Sequence, residues 1–222
     1  MAYMFVGLDV GKQNDYTALA VFEEVYPDVR SAEHQERHDI LVQSGQIEET
    51  PRALIQYHLR ALERIKLKTD YPVQVDMVKA WLHRLEGNGI YFLVDRGGVG
   101  DAVYDMFTGL GIDAIGIRLH GGAKDTPDGS GHSVSKRNLI AAAQVMLQNN
   151  QIRVNKRRPP KLWALCRAEL EAYQVTISET GQDTYANNPR QQPNDDLVIA
   201  LSMACWYADY LRNPHGGGWY TL

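Results

Sequence analysis

The chain has 222 residues, of which 44% are hydrophobic and 23% charged, and a formal net charge of −4. This reads as an ordinary soluble globular composition with enough chain to bury a core. It excludes a globally basic nucleic-acid binder, so any contact with nucleic acid has to come from a local patch.

Residues 4–25 (MFVGLDVGKQNDYTALAVFEEV) read as a β-hairpin, two apolar runs around a polar turn at 11–16. Asp9 sits inside the first run, where an unpaired carboxylate is costly. Asp15 precedes the second strand, and the hairpin can bring it back towards Asp9. Two acids converging at a strand edge suggest a hard-cation site. The alternative makes Asp15 a turn residue and Asp9 a tolerated edge acid. Residues 26–38 read as a polar loop with solvent-exposed His34 and His38, and 39–43 as a short strand. Residues 51–68 fit two patterns: a helix lined by Leu54, Leu59, Leu62 and Ile65, or a strand end with Glu63, Ile65 and Leu67 alternating.

Residues 70–85 form a helix, with Val75, Val78, Leu82 and Leu85 on one face, Pro72 near its start and Gly87 and Gly89 beyond its end. The run 90–94 (IYFLV) is a buried strand ending in Asp95-Arg96-Gly97-Gly98. A helix over 99–109, on which Asp101 and Asp105 read as exposed, and a strand over 114–119 complete a parallel crossover. Residues 120–134 are rich in Gly, Ser and Asp and read as a loop. Lys136 and Arg137 open a helix over 136–149 and are candidate phosphate contacts. A short extended piece at 152–154 leads to the densest basic run, Lys156, Arg157, Arg158 and Lys161, either a solvated charge run or a local nucleic-acid-facing patch.

A short helix over 162–170 precedes a second hairpin, 172–178 and 183–187 around the turn 179–182. The last helix, 195–211, has Asn194 as its expected N-cap and Asp195 and Asp196 in its first turn. The tail, 213–222, is Gly-rich and expected to be flexible, leaving 1–212 as the folded domain. Cys166 and Cys205, with no CxxC and no Cys/His cluster, argue against a disulfide scaffold or a structural zinc site. No apolar run reaches membrane-spanning length, so no membrane association is expected.

The acids gain meaning together. Asp9 lies in the first strand, and Asp95 at the carboxyl end of a parallel strand, where open α/β sheets bind ligands. Asp195 and Asp196 open a helix apolar enough to pack on that sheet. Acids brought close repel one another unless something holds them ionised. A pair of divalent cations about 4 Å apart does so, and can activate water and stabilise a leaving oxygen. Oxygen ligands select Mg²⁺ or Mn²⁺ over zinc.

This order of acids resembles the ribonuclease H-like superfamily, and within it the nuclease domain of the large terminase subunit of tailed bacteriophages. The matching pieces are GLDVGKQNDYTALAVFE, TDYPVQVDMVKAWL, FLVDRGGVGDAV, SKRNLI and NDDLVIALSMACWYA. Pro193 and Asn194 stand where the family usually carries Gly and His. The resemblance implies an α/β fold with a mixed central sheet, an antiparallel hairpin plus parallel strands, flanked by helices, with an extra β-hairpin. It makes residues 57–67 the third strand. It implies an endonuclease cutting concatemeric double-stranded viral DNA during packaging, with a two-metal site of Mg²⁺ or Mn²⁺. Asp9, Asp95 and one of Asp195 or Asp196 match its core metal acids, and Asp15 an accessory acid. The implied partners are an ATPase domain N-terminal to this one, a small terminase subunit and a portal, in the host cytoplasm. The chain carries no GxxxxGK[ST] signature, so it is expected to be the nuclease part alone or a relative without the motor. The alternatives are a junction resolvase, a phosphotransferase of the actin and sugar kinase type, or a non-catalytic DNA-binding module. The last two leave the acidic pair opening the final helix unexplained.

Overall fold

The computed structural model describes residues 3–11, 15–26, 44, 55–85, 88–129, 131–176, 184–187 and 194–212. Expectations for His34, His38, the strand 39–43, the turn 179–182 and the tail 213–222 lie outside these residues.

The first hairpin forms as its apolar runs require. Strand β1 (Tyr3–Asp9) pairs antiparallel with β2 (Thr17–Val25), Leu8 opposite Leu19 and Asp9 opposite Ala18. The ambiguous stretch is a strand, β3 (Gln56–Ile65), antiparallel to β2. The opposite edge of β1 takes β4 (Gly89–Asp95) in parallel, and β4 takes β5 (Ile115–His120) in parallel. Helix α1 (Tyr71–His83), with Asp70 as N-cap and Pro in its first turn, precedes β4. Helix α2 (Gly100–Gly109) makes the crossover from β4 to β5.

One expectation needs correcting. The loop read into 120–134 contains two strands, β6 (Thr126–Asp128) and β7 (Gly131–Ser135). β7 pairs parallel with β5, and β6 antiparallel with β7. A Cβ at position 131 would lie 1.9 Å from the Gly116 carbonyl oxygen, so this close pairing depends on the glycine that made the stretch look irregular. Helix α3 (Lys136–Gln148) follows, then β8 (Ile152–Arg153) beside the start of β3, and helix α4 (Trp163–Ala172). β9 (Tyr173–Thr176) and β10 (Thr184–Asn187) form a separate two-stranded sheet, and helix α5 (Asp196–Arg212) comes last. The main sheet has eight strands in the order β6-β7-β5-β4-β1-β2-β3-β8.

Strand alternation splits the core into two layers. Met4, Val6 and Leu8 pack with Phe92, Val94 and the inner faces of α1 and α2. Phe5, Ala18, Ala20, Phe22 and Leu93 face the other way, towards α3 and α5. Every residue of α5 from Asp196 to Ala208 is buried. A helix apolar on all sides lies in the core rather than on the surface. It crosses β1 closely: a Cβ at Gly7 would lie 2.0 Å from the Ala200 carbonyl oxygen. At its far end Arg212 pairs with Glu24 of β2. Among the described residues no helix is long and apolar enough to cross a membrane.

Candidate active site

The same alternation decides which acids meet. On β1, Phe5, Gly7 and Asp9 share a side, and Gly7 lies directly under α5. On β4, Leu93 and Asp95 share that side. Both carboxylates therefore stand on the face that α5 covers, at the sheet end where α5 begins. The helix start falls one residue later than the sequence suggests: Asp195 supplies the carbonyl that accepts the Ile199 amide, and Asp196 is the first helical residue. The N-terminal amides of Leu197 and Val198 donate to Glu169 of α4, at 3.1 and 3.3 Å. The cap thus includes an acid from a different helix.

Burial pushes the Asp9 carboxyl well above its ordinary range, and the charges of Asp95, Asp196 and Asp195 push it further, in that order; Lys136 opposes them. Asp95 is raised by burial too, against the Gly97 amide, a hydrogen bond with Asp9, and the charges of Lys136 and Arg118. The turn after β4 completes this corner. The Gly97 amide donates to Asp95 Oδ1 at 2.9 Å, and α2 starts so close that a Cβ on Gly100 would lie 1.9 Å from the Asp95 carbonyl oxygen.

Asp196 is buried, and its carboxylate is gripped by Arg64 of β3. Arg64 Nε donates to Oδ2 at 2.6 Å and Nη2 to Oδ1 at 2.8 Å. Nη2 also donates to Glu169 Oε1, and the guanidinium lies 4.8 Å from the centre of the Tyr16 ring. Burial raises Asp196, and the Arg64 fork pulls it back. Glu169 is fully buried, which pushes it up to about 7 against the pull of Arg64.

Among the described residues no three Asp, Glu, His or Cys side chains converge tightly enough to form a ready metal cage. Asp196 is turned onto Arg64. The donors are nevertheless all oxygens; burial raises both Asp9 and Asp95, and at Asp9 the neighbouring carboxylates add to it. That chemistry fits a hard divalent cation, which would favour the ionised carboxylates and relieve their repulsion.

No protein-family model and no curated protein sequence matches the chain. Solved structures do. The large terminase nuclease of thermophilic phage G20c with bound magnesium superposes with a TM-score of 0.59 at 19% identity, over 92% of this chain and 80% of that one. The large terminase nuclease domain of Thermus phage P74-26 gives 0.55 at 16% identity, over 98% and 83%. The large terminase of bacteriophage HK97 gives 0.52 at 14% identity, over 93% of this chain but 40% of that one. The chain shares the fold of these large terminase nuclease domains.

Within this fold the remaining candidate residues separate. Asp15 is exposed and lines a cleft of about 320 Å³ with Gly11, Lys66, Lys68 and Gln74, and it is not among the charges that raise Asp9. Lys136, at the start of α3, is half-buried and acts on both Asp9 and Asp95, whereas Arg137 beside it is exposed. Lys156, Arg157, Arg158 and Lys161 are all exposed; the backbone amides of Arg157 and Arg158 are held by the Asn155 side chain at 2.9 and 3.1 Å. Asp101 belongs to a partly exposed surface network with Arg96 and Arg118. Sequence reasoning passed over Arg64 and Glu169. Arg64 shares a side of β3 with Leu62, a mark visible only once that stretch is taken as a strand. Glu169 carries no local mark.

Proposed function

We propose that the chain is a metal-dependent endonuclease acting on double-stranded DNA, the nuclease part of a large terminase that cuts concatemeric viral DNA during genome packaging. The observation that carries this reading is the gathering of Asp9, Asp95, Asp195 and Asp196 at one end of the sheet, two on paired strands and two at the start of the helix that crosses them. The likeness to terminase nucleases, one of them solved with magnesium, supports it.

Asp9 and Asp95, with Asp196 or Asp195, would hold Mg²⁺ or Mn²⁺. When bound, such cations supply an activated water and charge stabilisation for the leaving oxygen. The protein's own contribution is alignment. β1 and β4 are hydrogen-bonded neighbours, so the spacing of Asp9 and Asp95 is set by strand pairing rather than by a loop. Gly7 lets α5 approach until its acids act on Asp9. Lys136 offsets part of the negative charge that would otherwise repel a phosphodiester. Asp15 is an accessory acid in this reading. Lys136, Arg137, Lys156, Arg157, Arg158 and Lys161 are the DNA contacts.

The chain covers 40% of the HK97 large terminase, which supports a reading in which a motor domain precedes the nuclease in the full subunit. Residues 1–212 form the nuclease domain and 213–222 a tail, and the full subunit works in the host cytoplasm with a small terminase subunit and a portal. The test is plasmid nicking by pure protein with Mg²⁺, Mn²⁺ or EDTA, beside ATPase and four-way-junction assays. Cleavage of linear and supercoiled duplex that needs the cation and ignores ATP is expected. Undiminished cleavage in excess EDTA overturns the metal mechanism, and a strong preference for junctions favours a resolvase.

A further inference from the structure

Arg64 does more than the start of α5 requires. Its side chain retains 12% of its surface, and Glu169 beside it none. Glu169 already accepts the Leu197 and Val198 amides and needs one cationic partner to stay charged in the interior. Arg64 supplies that partner, yet it also makes a two-pronged grip on Asp196, engaging both carboxylate oxygens. A planar fork fixes its partner's orientation as well as its charge. Of the two acids that open α5, the one gripped is its first helical residue. A single guanidinium thus sits on a carboxylate at the sheet end where Asp9 and Asp95 stand.

We propose that Arg64 is a positioning residue for the metal site, holding the Asp196 carboxylate aimed while no cation is bound and competing with the cation for it. The proposal rests on the metal-nuclease reading above. Asp9 and Asp95 take a cation without interference from Arg64. Asp196 joins only by sharing or leaving the Arg64 fork, so the second cation binds more weakly than the local negative charge would allow. Lysine has the charge without the fork, so Arg64→Lys should release Asp196 partway.

The test is Mn²⁺ binding by titration calorimetry, without DNA, alongside thermal melts. Arg64→Met alone would strand the Glu169 charge, so the variant is Arg64→Met with Glu169→Gln, removing both charges together. The weaker Mn²⁺ step should tighten by about tenfold, the usual scale of such coupling. Adding Asp196→Asn should abolish the gain, and Arg64→Lys should fall between. A folded double variant with an unchanged or weaker isotherm overturns the proposal and leaves Arg64 a brace for α5. If the double variant does not fold, Arg64→Lys decides: a tighter second step supports the proposal, an unchanged one overturns it. Wild-type protein that binds no Mn²⁺, or binds it equally well after Asp9→Asn, removes the metal reading itself and this proposal with it.

Discussion

Asp9 carries the heaviest electrostatic load in the molecule's acid corner. Burial and three neighbouring carboxylates raise it, and Lys136 opposes them. Asp9→Asn keeps the shape and removes the charge. Nicking should fall by several orders of magnitude, in line with about 3–5 kcal/mol of lost transition-state stabilisation. Stability without metal should hold or rise, because a like charge leaves the cluster. The pH dependence has a definite direction. A carboxyl raised on folding binds its proton more tightly in the native state, so its favourable contribution is complete below 3.8 and is lost as pH rises through the higher native value. In EDTA the melting temperature of Asp9→Asn should therefore gain on wild type as pH climbs from 3.8, and Mn²⁺ should reverse the order. Melts across pH with and without Mn²⁺ check this. An Asp9→Asn protein that melts several degrees lower in EDTA and still nicks DNA would make Asp9 a structural residue.

Among the elements, β3 decides how the site is closed. Val21 faces Ala61 and Phe22 faces Leu59, so Arg60 is an extra residue bulged out of the ladder. Before the bulge Tyr57 and Leu59 face α5; after it Leu62 does, and with it Arg64. Without that one-residue slip Glu63 would face the acids instead. This is why the strands of the acid corner were legible in the sequence and its cation was not. The parity of β1 and β4 follows from their apolar runs, which place Asp9 and Asp95 correctly. A bulge leaves no trace in a pattern that already fitted a helix equally well. Glu169 was hidden for another reason: its role depends on α4 docking against the start of α5, an approach of residues far apart in the chain. The close crossing of α5 over β1 is testable directly. Gly7→Ala puts a methyl against the Ala200 backbone carbonyl, which cannot rotate away. Overpacking of this kind destabilises by about 1–3 kcal/mol. Denaturant melts should register the loss, and nicking well below the melting temperature should also fall, because α5 must retreat and take its acids from Asp9.

For the whole molecule, a net charge of −4 means that DNA affinity has to come from particular surfaces. The exposed run around Arg157 and Arg158 is the densest of these. Replacing both with Ala should weaken binding and lower the salt slope by about one unit for each phosphate no longer neutralised. The fold should survive, since neither side chain is buried. An unchanged slope would move the DNA path elsewhere, and Lys66 and Lys68, at the cleft beside Gly11, are the next pair to replace.

The acids hang from the interior of the fold. β1 is paired on both edges, β4 is paired with β1 and β5, and α5 is enclosed from Asp196 to Ala208. Amide hydrogens in such elements escape to solvent only when the whole domain opens, whereas exposed loops exchange through local fluctuation. In hydrogen–deuterium exchange, residues 5–8, 92–94 and 200–207 should be the last to label, with a common opening free energy equal to that of global unfolding. Partial denaturation would then leave no population in which the loops are intact and the acids dispersed. Nicking activity and the slowest-exchanging amides should disappear together along a denaturant series.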